Sequence, residues 1–421
     1  VTTTENDRLQ NIGVNVDQVI TGKIGTAANP IGNVIAEVGG KTININTLEF
    51  NAGVATQIVD STTVEFTLAG AKALNLGSAD KQLLKVDFQE SGLVENGVYS
   101  KEVQVALGKT ATLGGTIQSG NFHLDGAGAK TVFSDGAVVD SVIKTTVVGA
   151  GLVEFAGGAT ISKDLGEAAK ALNTVTFAND AGKTATISAS QGDVVEFYAK
   201  GITMQQGVVK LESDAALHGA TTATATTLNL KDKRLTANDN LTFNGVNNIE
   251  FSTTNSGNTL KGGQITIAAG KNLAFANGTE LAITANDKGN ARPTGGASHD
   301  FTLIDGDVLA VANNRLDISK VKVVRNTNKL TSWTVAIGEN NKLILTQIDN
   351  AAGALKEILG KAGAADAATI ANADALGKAE QGSQGYKVVA LLSTLPDEQV
   401  GELFDRLVPL TTVADSIENT A

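Results

Sequence analysis

The sequence predicts a mostly β chain wound as a β-solenoid, followed by a short helical segment. Three observations carry this. A short apolar-x-Phe element recurs along the chain, a Gly-Lys turn recurs between its copies, and the composition suits strands and tight turns.

The first element appears as Leu48-Glu49-Phe50, Val64-Glu65-Phe66 and Val86-Asp87-Phe88. It returns as Val153-Glu154-Phe155, Val175-Thr176-Phe177, Val195-Glu196-Phe197, Ile249-Glu250-Phe251 and Leu273-Ala274-Phe275. Most neighbouring copies lie ~20–24 residues apart, a solenoid period. Each copy alternates apolar, mostly polar, apolar. Period-2 alternation puts the aliphatic residue and Phe on one face and the Glu on the other.

The second element is a Gly-Lys turn before a strand. Gly40-Lys41-Thr42, Gly108-Lys109-Thr110, Gly182-Lys183-Thr184 and Gly270-Lys271-Asn272 each precede an alternating run. Three of these tripeptides superficially match a phosphate-binding loop. That loop needs a further Gly five positions earlier, where this chain has Ile35, Val103 and Phe177. The reading is therefore a turn with an exposed lysine.

One apolar-faced strand pair cannot bury itself. Stacking equivalent coils at ~4.8 Å per layer buries a continuous column. The chain has 46 Gly and only 4 Pro in 421 residues, so turns are well supplied and ladder N–H donors are kept. Residues 1–348 are assigned to this solenoid, with roughly 15 coils reaching roughly 70 Å. A row of β-sandwich domains would show turns every 8–12 residues without the longer recurrence.

From Ala351 the composition becomes rich in Ala, Leu, Lys and Glu, so residues 349–421 are assigned to a helical cap or linker. Residues 354–359 predict a short helix ended by Gly360. A clearer helix runs from Pro396 to Leu407, where Val400, Leu403, Phe404 and Leu407 form one apolar stripe. Such a segment would block the open end of the stack or lead to a further domain.

The charge balance narrows the partners. With 33 basic and 44 acidic residues the net charge is −11, which disfavours nucleic acid. Cys is absent, excluding disulfides and thiolate metal sites. No stretch approaches the ~18 apolar residues of a transmembrane helix. The sequence opens Val1-Thr2-Thr3-Thr4, the start expected of a mature product or an excised segment.

The Gly/Asn/Thr/Ala-rich, Cys-free repeats resemble passenger domains of bacterial autotransporters, in particular the rickettsial outer membrane protein B and surface cell antigen group. The stretch Asn173-Thr174-Val175-Thr176-Phe177-Ala178-Asn179-Asp180-Ala181-Gly182-Lys183-Thr184 carries that likeness. A more specific one lies in Phe301-Thr302-Leu303-Ile304-Asp305-Gly306, Trp333-Thr334-Val335 and Asn341-Lys342-Leu343-Ile344-Leu345. Residues 301–348 resemble the terminal coils before a membrane barrel, and the Ala-rich stretch resembles the linker between them. The resemblance implies a right-handed parallel β-helix on the bacterial surface or secreted, associated with the outer membrane, adhesive or layer-forming and tied to virulence. No alternating-strand barrel follows before Ala421, so a cleaved or excised passenger is the expectation.

No catalytic, cofactor-binding or metal site is assigned. His123, His218 and His299 are far apart and none sits in a metal-ligating motif. Ser298-His299-Asp300 reads as a triad on paper, but in an extended segment His299 points away from its neighbours. Asn238-Asp239-Asn240 and Asn286-Asp287 are oxygen-rich turns with no calcium-repeat signature. Asn240-Leu241-Thr242 and Asn277-Gly278-Thr279 match the glycosylation sequon.

The leading functional expectation is a non-catalytic surface protein, acting in adhesion to host cells or as a protective layer. Its partners would be a host cell-surface receptor or neighbouring passenger subunits. Residues 286–298 and the Thr-rich 220–227 are candidate inserted loops. The alternative is a carbohydrate-active enzyme, a lyase or hydrolase, on a β-helix. It would need converging carboxylates, and Glu49, Glu65, Glu154, Glu196 and Glu250 are the candidates for one stacked row. The competing reading for these glutamates is a solvated strand face, because stacked carboxylates repel. Aromatic platforms for sugars are scarce, with one Trp and three Tyr.

Overall fold

The computed structural model describes residues 11–350 except 179, 190–191, 257–258, 287–297 and 327–330. Beyond 350 it describes only positions 355, 376, 383, 385, 388 and 399. The chain is a β-solenoid of about 11 parallel stacked turns, with 57% of residues in strands. The helices read at 354–359 and 396–407 lie outside the described residues, apart from Leu355 and Gln399.

Each full coil lays down three short strands, so the solenoid has three faces. The coil from Thr116 to Phe133 illustrates the pattern. Its strand Thr116–Leu124 bends at Gly120 and covers two faces, and Lys130–Phe133 forms the third. Val98, Ile117, Val139 and Ile161 stack in register on the first face. Ile43, Val64, Val86, Val103, Phe122 and Ile143 do so on the second. Leu113, Phe133, Phe155 and Phe177 do so on the third. All of these side chains are buried in one continuous core.

The aromatic repeat divides among all three faces, with Phe251 on the first. Phe66 and Phe88 stack at 4.5 Å on the second face. Phe133, Phe155 and Phe177 stack at 5.2 Å per step on the third. Phe197 returns to the second face and meets Phe177 across the interior at 5.8 Å. The recurrence thus marks inward positions in general and not a single column. Phe133 escaped the motif because Thr131 stands where the aliphatic residue is expected. That Thr is fully buried all the same.

The expected 15 coils are corrected to about 11. The late coils are longer than the period implied. A two-stranded antiparallel hairpin, Thr253–Ser256 with Thr259–Gly262, is inserted in one of them. Ile283 then pairs with Val323, so the next coil takes in the whole intervening segment.

The last described strands abandon the parallel rule. Ser298–Asp305 pairs in parallel with the stack through Ile265–Ile304 and then antiparallel with Leu343–Asp349. That strand pairs antiparallel with Thr331–Ile337. The segment singled out in sequence as resembling terminal coils is therefore an antiparallel closure. It covers ladder groups that a further parallel coil would otherwise need to pair.

The Gly-Lys sequences form turns as read, but only Lys271 is exposed, whereas Lys41, Lys109 and Lys183 are half-buried. Gly40, Gly108, Gly182 and Gly270 all have φ between 70° and 88°, a region where a Cβ costs energy. Three of the four lysines tie coils together. Lys109 pairs with Glu90 at 2.7 Å, Lys271 with Asp239 at 3.2 Å, and Lys183 with Asp135. The last pair holds the Asp135 carboxyl below its ordinary value and the Lys183 ammonium above its own.

Residues 220–227 are not an inserted loop, which corrects the expectation. Ala215–Thr224 is one strand, and Thr203, Thr222 and Thr242 stack outward in register. Threonine was read as loop-forming, whereas its β-branch favours a pleated surface. Residues 286–298, the other proposed loop, lie almost entirely outside the described residues.

Buried polar groups lock the corners. Asn247 is fully buried; its Oδ1 accepts the Thr226 N–H at 3.2 Å and its Nδ2 donates to the Asn244 carbonyl at 2.9 Å. Asn247→Ala takes the acceptor from the Thr226 N–H, while the Asn244 carbonyl keeps the Ala225 N–H, and should cost ~1–3 kcal/mol, read from urea unfolding. A loss no larger than at a neighbouring exposed residue would remove Asn247 from this role.

Candidate binding surface on the second face

The outward residues of the second face form a polar ladder. In order of rungs it runs Asn44, Glu65, Asp87, Gln104, His123 and Lys144. The Ile143–Leu165 and Leu165–Phe197 bridges carry it on to Gly166 and Tyr198. His218 follows, then Asn238. Parallel in-register stacking causes this: each outward side chain lies ~4.8 Å above its equivalent in the previous coil.

The ladder brings together Tyr198, His218 and Asn238, which the sequence keeps apart. Tyr198 and His218 stack with ring centroids 4.1 Å apart and planes 15° from parallel. Tyr198 donates its hydroxyl proton to Glu196, two residues back on the same outward side. His218 Nε2 lies 3.8 Å from the other Glu196 oxygen and 3.4 Å from Asn238 Nδ2. On the preceding rung, Asp164 Oδ1 accepts the Glu196 N–H at 2.8 Å. The hydrogen bond to Glu196, together with burial and nearby negative charge, pushes the Tyr198 hydroxyl up to about 12, so it stays a donor at neutral pH. In sequence His218 stands far from the other histidines and in no motif. Only the stacking of coils places it on Tyr198, and no local motif announces that.

The five glutamates do not form one row. Glu65 stands on the second face between Asn44 and Asp87. Glu154 lies on the third face between Val132 and Thr176 and pairs with Lys130 at 2.7 Å. Glu250 lies on the first face and accepts from Asn229 at 2.7 Å. Glu196 sits opposite Ala216, and Glu49 pairs with Lys23 in a turn. The shared motif hid which face each copy belongs to.

The remaining sequence candidates have structural employment. Asp239 accepts the Asn240 N–H at 2.8 Å and pairs with Lys271, both holding its carboxyl below the ordinary value. In Ser298-His299-Asp300 the two flanking residues are exposed and His299 is half-buried, in extended alternation. Asp300 accepts from Thr346 at 2.7 Å instead. Thr279 of the second sequon is buried, donating to the Ala276 carbonyl at 2.6 Å. Among the described residues no cluster of three or more His, Asp or Glu is arranged to hold a metal ion. No described helix is long and apolar enough to cross a membrane.

Two grooves flank the strand Ser298–Asp305. One of about 640 Å³ is lined by Arg234, Lys261, Gln264 and Asp300, beneath the inserted hairpin. The other, about 530 Å³, runs past Glu339 and Lys342.

Glu212 makes the stack sensitive to acid. Hydrogen bonds from Lys210 and Lys231 hold its carboxyl below the ordinary value. A depressed folded-state pKa stabilises above the unfolded value, and that contribution is lost as pH falls through the folded one. Glu212→Gln should therefore lower the melting temperature at pH 7 but not at an acid pH low enough to protonate the folded-state carboxyl. An equal deficit at both pH values would show that packing, and not charge, is responsible.

These features define a class: a repetitive parallel β-solenoid with polar outward ladders. The comparisons with known proteins point the same way. Outer membrane protein B of Rickettsia rickettsii is 30% identical over 184 residues, covering 38% of this chain and 11% of that protein. The chain thus matches only about a tenth of the length of its curated relative. No protein-family model matches, and no solved structure matches. The similarity and the solenoid fit a surface passenger protein associated with the outer membrane.

Proposed function

We propose that this chain is a non-catalytic part of an autotransporter passenger, displayed on a bacterial surface and acting in adhesion to host cells or in a protective surface layer. The observation that carries this reading is a parallel solenoid of about 11 turns in a chain similar to outer membrane protein B. Stacked coils hold outward side chains in long regular ladders, a geometry suited to extended contact surfaces. The partner would be a host cell-surface receptor or a neighbouring passenger subunit, and nucleic acid is disfavoured by the net charge of −11. The dispersal of the candidate carboxylates over three faces supports the non-catalytic reading over a lyase or hydrolase.

The test is binding of the purified chain to host cells, against an acidic β-solenoid of the same size. Saturable binding competed by unlabelled chain is the adhesive outcome. Binding no greater than the control's removes adhesion for this segment. Ordered self-assembly of the purified chain, seen by electron microscopy, is the outcome expected of a layer.

A further inference from the structure

The strand Ser298–Asp305 has two edges, and only one is paired along its length. Leu343–Asp349 runs antiparallel along the first, from the Ser298–Ile348 pair to the Ile304–Leu343 pair. The second edge joins the stack only through Ile304 and Asp305. Among the described residues, no strand pairs with Ser298 to Leu303 on that side. Gln264 Nε2 donates to the Thr302 carbonyl at 3.0 Å, which marks the side to which Thr302 points. In an antiparallel ladder the N–H and C=O of one residue point the same way, and every second residue repeats the direction. The Asp300 N–H and C=O and the Thr302 N–H therefore face that side too, with no backbone partner among the described residues.

This open edge is one wall of the groove of about 640 Å³, a volume within the range of ligand sites. The inserted hairpin strand Thr259–Gly262 supplies another. A Cβ on Gly262 would come 3.2 Å from the Phe301 ring, so the hairpin sits close on the strand and holds the wall in place. Two cations line the groove, Arg234 and Lys261, both exposed. Among the described residues neither side chain makes an ion pair. The lining carboxylates, by contrast, are met: Asp232 by Lys233 at 3.2 Å and Asp300 by the Thr346 hydroxyl at 2.7 Å. On a chain with 44 acidic against 33 basic residues, two unmatched cations in one groove complement an anionic group. The unpaired edge calls for alternating main-chain donors and acceptors, which an extended peptide supplies.

We propose that this groove takes up an extended acidic peptide segment of a partner protein, which adds as a strand to the open edge at Asp300 and Thr302 and directs carboxylates at Arg234 and Lys261. Main-chain pairing gives the affinity, and the two cations select the side chains. The inference deepens the adhesive reading, on which it rests, by naming the chemistry of the partner.

The probe is a fluorescein-labelled, C-amidated seven-residue peptide alternating threonine and glutamate, titrated against the full chain and followed by fluorescence anisotropy. Saturable binding that weakens with added salt is expected. The same peptide with lysine in place of glutamate, or N-methylated throughout, should bind about tenfold more weakly or worse. Arg234→Gln combined with Lys261→Gln should lose as much. Thr302→Pro removes an N–H that has no partner in the fold, so circular dichroism should stay that of the wild type while binding falls. Bound peptide should slow hydrogen exchange at the Asp300 and Thr302 amides. No saturable binding of the glutamate peptide, equal binding of the lysine peptide, or undiminished binding after N-methylation or in the double variant would each overturn the proposal. Self-association of the chain that excludes the peptide would also overturn it, by assigning the edge to a second copy. Cell binding is measured on the same samples. Cell binding without peptide binding overturns this site alone, whereas peptide binding without cell binding overturns the adhesive reading alone.

Discussion

Phe155→Ala is expected to destabilise the chain by ~3–5 kcal/mol, among the largest effects of any single truncation. Phe155 is fully buried at the centre of the Phe133–Phe155–Phe177 stack, 5.2 Å from each neighbour. Removing the ring breaks two stacking contacts and leaves a cavity that rigid strand ladders on both sides cannot close. Because each coil contacts mainly its neighbours, the damage should be local. Hydrogen exchange should therefore quicken in the coils from Leu113 to Phe177 and stay slow around Phe66 and Phe88. Leu107→Ala is the control, since that side chain is 66% exposed and should cost less than ~0.5 kcal/mol. Equal urea midpoints for the two variants would show that the aromatic column does not hold the stack together.

Gly115→Ala should be nearly as damaging, for a reason belonging to the backbone. Gly115 has φ 67°, and a Cβ there would fall within the Asn96 carbonyl group of the previous coil. The cost combines left-handed strain with displacement of a ladder strand, roughly 3 kcal/mol or more. Gly108→Ala separates the two components. Gly108 has φ 71°, yet a Cβ there meets nothing within 4 Å. It should lose only the strain, ~1–2 kcal/mol. If Gly108→Ala proves as harmful as Gly115→Ala, close approach of coils is not what demands glycine at 115.

The two glycines show how unevenly the sequence discloses this fold. The turn at Gly108 is legible locally because Gly-Lys-Thr recurs before alternating strands. The requirement at Gly115 comes from Asn96, one coil away, and no spacing rule marks it. The same holds for the surface. Tyr198, His218 and Asn238 read as unrelated residues, but they occupy successive rungs of one ladder.

Taken alone, the sequence determined that the chain is β-rich and built of stacked repeats, with Val, Ile and Phe inward and Glu outward. Period-2 alternation and a recurring turn suffice for that, since both are local. It also determined the acidic, Cys-free character of the surface. Tertiary structure alone decided which of three faces each repeat occupies, because the coils vary in length and a corner can absorb residues without disturbing alternation. It decided that the five glutamates are dispersed, that the last strands close the stack antiparallel, and that Tyr198 stacks on His218. Each depends on the register between coils ~20 or more residues apart, which packing of the shared core sets and no local pattern encodes.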